Sequence, residues 1–220
     1  MKEYLPILSK CALFENISGE NLLAMLKCLS ANVSRFGKGE FIFTAGEAPE
    51  RVGVLLSGTL HIMREDFFGN RILITVVEHG DLFGESFACA ETAELPVSAV
   101  AATDCAVLLC DYRRIVKSCT NACEFHARLV QNMLNILANK NIHLTQKLEH
   151  VTQHNTREKL LSYLAERAQL AGQSKFTIPL NRQELADYLA VERSAMSAEL
   201  SRMRADGLIR CDRNEFELLR

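Results

Sequence analysis

Arg193, Ser194, Ser197, Ala198, Ser201 and Arg202 share one face of a helix if the segment from about Arg193 to Ala205 is helical, because Met196, Leu200 and Met203 then share the opposite face. Small side chains let a helix backbone enter a DNA major groove, and arginine can bond guanine or phosphate there. Just upstream, Arg182 to Leu189 has Leu185 and Leu189 one turn apart, and Ala190-Val191-Glu192 makes a short connection. Two short helices joined in this way match a helix-turn-helix; a helical hairpin used only for protein contacts has the same pattern. Glu199 falls beside the inward residues Met196 and Met203, where pairing with an arginine is expected rather than reading of cytosine.

Other chemistry is thinner. The eight cysteines, at positions 11, 28, 89, 105, 110, 119, 123 and 211, show no CxxC and no paired zinc spacing, so most read as reduced, small apolar residues. Cys105 with Cys110, or Cys119 with Cys123, are the candidates for a thiol-based redox sensor. Five positions apart, the first two are expected on opposite faces of one strand, whereas the second two can share a helical face. A cupin-like metalloenzyme would need a cluster of histidines and a carboxylate, and only His61 and His79 fall in the β-rich region.

The elements that must carry these residues follow from composition. With 220 residues and 48% hydrophobic content the chain can bury a real core. Nine of the eleven glycines fall at or before Gly84, which separates a turn-rich first half from a helical middle. Short strands rich in β-branched and aromatic residues are expected from about Glu40 to Leu109, interrupted at Gly46-Glu47-Ala48-Pro49, Ser57-Gly58, Phe68-Gly69-Asn70 and His79-Gly80-Asp81, as in a jelly roll. A capped amphipathic helix, Ser18 to Leu26, precedes them.

From about Asn121 to Val151 there is neither Gly nor Pro, and Val130, Leu134, Leu137, Asn141, Leu144, Leu148 and Val151 alternate steps of four and three. That is a heptad seam with one asparagine at an a position, which fixes register and strand number in a parallel dimer. Met133 and Ile136 lie on the adjoining face, suited to packing on the β domain. Asn155 with Glu158 caps a further helix, Gly172-Gln173-Ser174-Lys175 ends it, and Phe176 to Ile178 reads as a strand. Leu208 to Arg210 and Glu215 to Leu219 form a wing hairpin. Charge is −2 overall, +1 from Val151 onward and −3 before it, too even to suggest DNA alone. Charges flank the short apolar stretch after Met1, unlike a signal peptide, and no apolar run approaches the ~20 residues that span a bilayer, so a cytoplasmic protein without membrane partners is expected.

In Gly39 to Glu47, Val54 to Gly58, Gly80-Asp81-Leu82-Phe83-Gly84-Glu85 and Asn181 to Ala186 the chain resembles the family of the cyclic-AMP receptor protein and the fumarate-nitrate reduction regulator, over nearly its whole length. The resemblance implies an α+β protein: a β-roll sensor domain, a jelly-roll-like double-stranded β-helix, over residues 1–120; a long dimerisation helix over 121–152; and a winged helix-turn-helix over 153–220. Such a protein is a transcription regulator without catalytic activity, whose partners are double-stranded DNA, a second copy and RNA polymerase. By that similarity Arg182 and Gln183 contact the DNA backbone, and Arg193, Ser194, Ser197 and Arg202 complete the DNA face. The family commonly begins its recognition helix Arg-Glu-Thr-Val; here it is Arg193-Ser194-Ala195-Met196, so a different half-site is expected.

An effector pocket is implied at Gly84, Glu85, Ser86, Val97 and Ser98, bounded by Lys140, Leu144 and Thr145 of the long helix. Nucleotide-binding members carry an arginine for the cyclic phosphate where Val97 stands here, and a buried phosphate without its charge partner is costly. Lys140 would replace it less well. Cys11 and Cys28 do not form the close cluster that holds iron and sulfur in the oxygen-sensing members, and His79 lies in a turn. Cyclic AMP, an iron–sulfur cluster and haem are therefore all disfavoured, and a mostly apolar or differently charged small molecule is expected.

Overall fold

A computed structural model describes residues 2–17, 19–68, 71–116 and 124–219. Ser18, Gly69, Asn70, Cys119, Asn121 and Cys123, named above, lie outside them. The chain divides into two compact units, Met1–Ala138 and Asn139–Arg220.

The first unit contains the helices α1 (Leu5–Leu8), α2 (Gly19–Cys28), α3 (Glu85–Cys89) and α4 (Tyr112–Val116). Its strands are β1 (Asn32–Phe36), β2 (Phe41–Phe43), β3 (Arg51–Ser57), β4 (Leu60–Glu65), β5 (Arg71–Val77), β6 (Leu82–Phe83), β7 (Ser98–Ala101) and β8 (Cys105–Asp111). They form two four-stranded antiparallel sheets, ordered β1-β8-β3-β6 and β2-β7-β4-β5. Between the sheets lie Leu55, Leu60, Phe83, Ala99, Cys105, Val107 and Leu109. The other face of β3 and β8, carrying Val52, Val54, Leu56, Leu108 and Cys110, packs against Leu13, Phe14, Leu22 and Leu26 from the N-terminal helical segments. Both faces of these two strands are buried, which is why they read as unbroken apolar runs rather than as alternation. Gly53 is required there, since a Cβ on it would fall within the Phe83 ring.

Helix α5 (Glu124–Val151) begins in this unit and spans about 42 Å at 1.5 Å per residue. Leu129 and Met133 are buried in the helix-side core, and Ile136 and Leu137 pack against it. Asn132, almost fully buried, donates from its amide to the carbonyls of Leu13 (3.0 Å) and Glu15 (2.9 Å), tying the N-terminal segment to the helix. On the expected seam Leu134, Leu144 and Leu148 are 55%, 67% and 59% exposed, Asn141 is exposed, and Val130, Leu137 and Val151 are half-buried.

The second unit holds the end of α5, α6 (Thr156–Ala171), β9 (Lys175–Thr177), α7 (Arg182–Tyr188), α8 (Arg193–Ala205), β10 (Ile209–Asp212) and β11 (Glu215–Leu218). Asn155 caps α6 by accepting the Glu158 N–H, and Gly172 closes it at φ +64°. The three strands pair antiparallel in the order β10-β11-β9. Strand β9 starts one residue earlier than expected, and Ile178 bonds instead to the Asn214 carbonyl at 2.9 Å. Leu160, Tyr163, Leu164, Leu185, Met196, Leu200, Met203 and Phe216 form its core.

Candidate DNA interface

Two caps fix the helix-turn-helix. Asn181 accepts the N–H groups of Gln183 and Glu184 while the Glu184 carboxylate accepts the Asn181 N–H, a complete capping box for α7. Ala190 follows at φ +51°, a left-handed conformation that costs about 1 kcal/mol for a residue with a Cβ. Glu192 then caps α8 with its own carboxylate, bonded to the N–H groups of Ser194 and Ala195. Met196, Leu200 and Met203 are buried, which turns Arg193, Ser194, Ser197, Ala198, Ser201 and Arg202 to solvent on one face.

The structure places these residues in different states of readiness. Among the described residues Arg193 has no ion pair, and it is exposed. Arg202 bonds Glu199 at 3.0 Å and remains 70% exposed. Glu199 is buried and also meets Arg157 of α6 at 2.5 Å; Arg157 in turn reaches Asp206 at 2.7 Å. The Arg157 guanidinium, followed by that of Arg202, holds the Glu199 carboxyl below its usual range, so Glu199 is an anionic brace between α6 and α8. Arg182 is half-buried with its guanidinium 5.0 Å above the Phe216 ring, linking α7 to the wing. Gln183, exposed, donates to Asp187 at 2.9 Å.

Sequence reasoning gave no role to His150, in the last turn of α5. It is 3% exposed, with Nδ1 2.8 Å from the Ser162 hydroxyl and Nε2 3.0 Å from Glu166, and its ring packs edge-on against Tyr163. Tyr188 of α7 lies on the same cluster, with the Lys147 ammonium over its ring. Only the fold brings these residues together, since they come from three helices. Burial pushes the phenols of Tyr163 and Tyr188 up.

In the β-roll, Gly84 takes φ +81° ahead of α3, with the Phe43 ring where a Cβ would stand. Glu85 is buried and accepts the Ser86 hydroxyl at 3.0 Å. The Ser98 hydroxyl oxygen accepts the Ala45 N–H at 2.9 Å, and Val97 is half-buried just before β7. Lys140, Leu144 and Thr145 are exposed on the part of α5 that belongs to the second unit; Thr145 donates to the Asn141 carbonyl at 3.0 Å.

Cys105 faces the core between the sheets and Cys110 the helix-side core, as expected of opposite faces of one strand. Burial pushes the Cys110 thiol up to about 12, far from thiolate character. Among the described residues no three His, Cys, Asp or Glu side chains are placed to hold a metal ion, and no helix is long and apolar enough to cross a membrane.

Comparison with known proteins agrees with this architecture. Residues 33–120 match the cyclic nucleotide-binding domain family, and residues 158–220 match the Crp-like helix-turn-helix domain family. No curated protein matches the chain. Among solved structures, the catabolite activator protein of Thermus thermophilus is 20% identical over 94% of this chain and 93% of its own, with a TM-score of 0.54. The c-di-GMP responsive regulator CLP of Xanthomonas campestris is 17% identical over 90% of this chain and 99% of its own, at 0.56. CprK in complex with OCPA is 13% identical over 91% of this chain and 89% of its own, at 0.65. At these identities the likeness is one of fold.

Proposed function

This chain is a member of the cyclic-AMP receptor protein and fumarate-nitrate reduction regulator family of non-enzymatic, DNA-binding transcription regulators; on that premise we propose that it works as a homodimer that reads a two-fold symmetric DNA site and is gated by a small molecule other than cyclic AMP. The observation that carries the DNA half is the outward face of α8, where Arg193 stands exposed among serines on a helix braced by Arg157 and Glu199. Arg193 bonds guanine, Ser194, Ser197 and Arg202 flank it in the groove, and Arg182 and Gln183 lie against the DNA backbone. The dimer forms through Val130, Leu134, Leu137, Asn141, Leu144, Leu148 and Val151, supported by the three leucines left exposed along α5. The functional parts are then a sensor over residues 1–120, a dimer helix over 121–152 and a DNA reader over 153–220. It acts in the cytoplasm, with RNA polymerase as the further partner.

The effector site is assigned to Gly84, Glu85, Ser86, Val97 and Ser98 of the β-roll. A cyclic phosphate there would have Val97 in place of a cation; the Ser86 hydroxyl hydrogen is already given to Glu85, and Ser98, which accepts the Ala45 N–H, keeps only one neutral hydroxyl hydrogen to donate. Desolvating a phosphodiester without charge-assisted hydrogen bonds leaves the cost unreturned. Calorimetric titration with cyclic AMP is therefore expected to give no binding at micromolar concentration. Tight binding accompanied by stronger DNA affinity contradicts this part of the proposal.

A further inference from the structure

The N-terminal end of α8 turns acceptors outward. Glu192 receives the Ser194 N–H at 3.1 Å on one oxygen, and the Ala195 N–H at 2.9 Å and the Ser194 hydroxyl on the other. Amides at this end of a helix commonly meet an anion such as a DNA phosphate, and here two of them are taken by the protein's own carboxylate. The hydroxyl hydrogens further along are spent in the same manner. Ser197 donates to the Arg193 carbonyl at 2.9 Å, and Ser201 to the Ser197 carbonyl at 3.0 Å. Each of these serines has one hydroxyl hydrogen, so what it presents to a ligand is lone pairs. Glu192, Ser194 and Ser197 are all exposed, the two serines on the face assigned above to DNA and Glu192 at its N-terminal edge. The Ser194 hydroxyl and the two amides also hold the Glu192 carboxyl below its usual range, so the end of the helix carries a full negative charge at neutral pH.

Base edges in the major groove sort by this chemistry. Guanine shows two acceptors, thymine an acceptor and a methyl group, adenine an amine beside the N7 acceptor, and cytosine an amine without a neighbouring acceptor on the same base. A carboxylate is repelled by each exposed lone pair, which leaves cytosine as its partner.

We propose, resting on the DNA-reading assignment above, that Glu192 is a specificity-determining residue: it accepts from the N4 amine of one cytosine in each half-site and keeps the N-terminus of α8 off the phosphate backbone. The second effect lowers binding to arbitrary DNA, so that affinity depends on the base contact. Arg193, the adjacent donor, then reads guanine, and the half-site contains both.

The test uses the full-length chain and its Glu192→Ser and Glu192→Gln variants. Serine is a good helix cap and glutamine keeps the side chain's size, so each addresses the charge with α8 retained. Duplexes selected from a random pool by the wild-type protein should show one cytosine per half-site, preferred over other bases by roughly tenfold. That preference should vanish in Glu192→Ser and move toward adenine in Glu192→Gln. On unselected duplex, Glu192→Ser should bind roughly tenfold tighter at low salt, with the slope of log K against log salt steeper by about one, the mark of one added phosphate contact. Retention of the cytosine preference in Glu192→Ser with an unchanged salt slope overturns the role of Glu192 alone. If the wild-type protein selects no sequence at all, the DNA-reading assignment falls and this inference with it.

Discussion

Leu134→Lys combined with Leu144→Lys is expected to turn the proposed dimer into a monomer of 24.6 kDa in sedimentation. The two leucines are 55% and 67% exposed in the single chain, so their replacement leaves its own core untouched. Covering a leucine is worth about 1.5–3 kcal/mol, and two copies bring four of them to the seam. The lysines remove that gain and set like charges across a parallel pair of helices. Asn141, between them, is exposed in the single chain, and once the seam covers it its amide is satisfied only against an aligned partner. An unchanged dimer would refute the heptad assignment and leave the exposed leucines without an account.

His150→Ala should destabilise the second unit by about 3 kcal/mol at neutral pH. Two hydrogen bonds are lost, each worth about 1 kcal/mol, and the vacated ring leaves a cavity against Tyr163 and Tyr188. Glu166 is left with Arg167, whose guanidinium is 3.7 Å away, as its remaining charged neighbour among the described residues. His150→Phe refills the volume and strands Glu166 all the same, so it should fall between the wild type and His150→Ala. Urea unfolding followed by tyrosine fluorescence reads this directly. A loss below 1 kcal/mol in His150→Ala would mean that the cluster relaxes around the gap and does not hold the end of α5.

What was legible in the sequence was periodic and local. The α8 stripe of Met196, Leu200 and Met203, the Asn155 cap and the Gly172 stop are short-range signals, and each lies where expected. Cys105 and Cys110 separate onto two faces because strand alternation is strict. Strand β1 was not anticipated: Asn32 to Phe36 lacks an alternating pattern and no turn dipeptide precedes it, so its identity comes from pairing with β8 some 70 residues later in the chain. Of the two partners of Glu199, Arg157 was illegible for the same reason, lying 42 positions upstream, whereas Arg202 stands three residues on along the same helix. Asn132 and His150 are polar residues on helical positions with no local signal of burial, and only the carbonyls of Leu13 and Glu15, or Ser162 and Glu166, make them core residues. Glu192 escaped notice because serine, threonine, asparagine and aspartate are the usual caps, and a longer carboxylate folding back gives no sequence signal.

The proposed regulator is a dimer presenting two copies of α8 to adjacent major grooves. Hydroxyl-radical footprinting of the wild-type protein and Arg193→Ala on a selected duplex tests it most directly. Two protected half-sites related by two-fold symmetry are expected, their centres about 34–36 Å apart, with Arg193→Ala weakening binding by roughly 1–3 kcal/mol and relaxing preference at one base pair in each. A single unpaired half-site, or an equal loss on every sequence after the substitution, would contradict it.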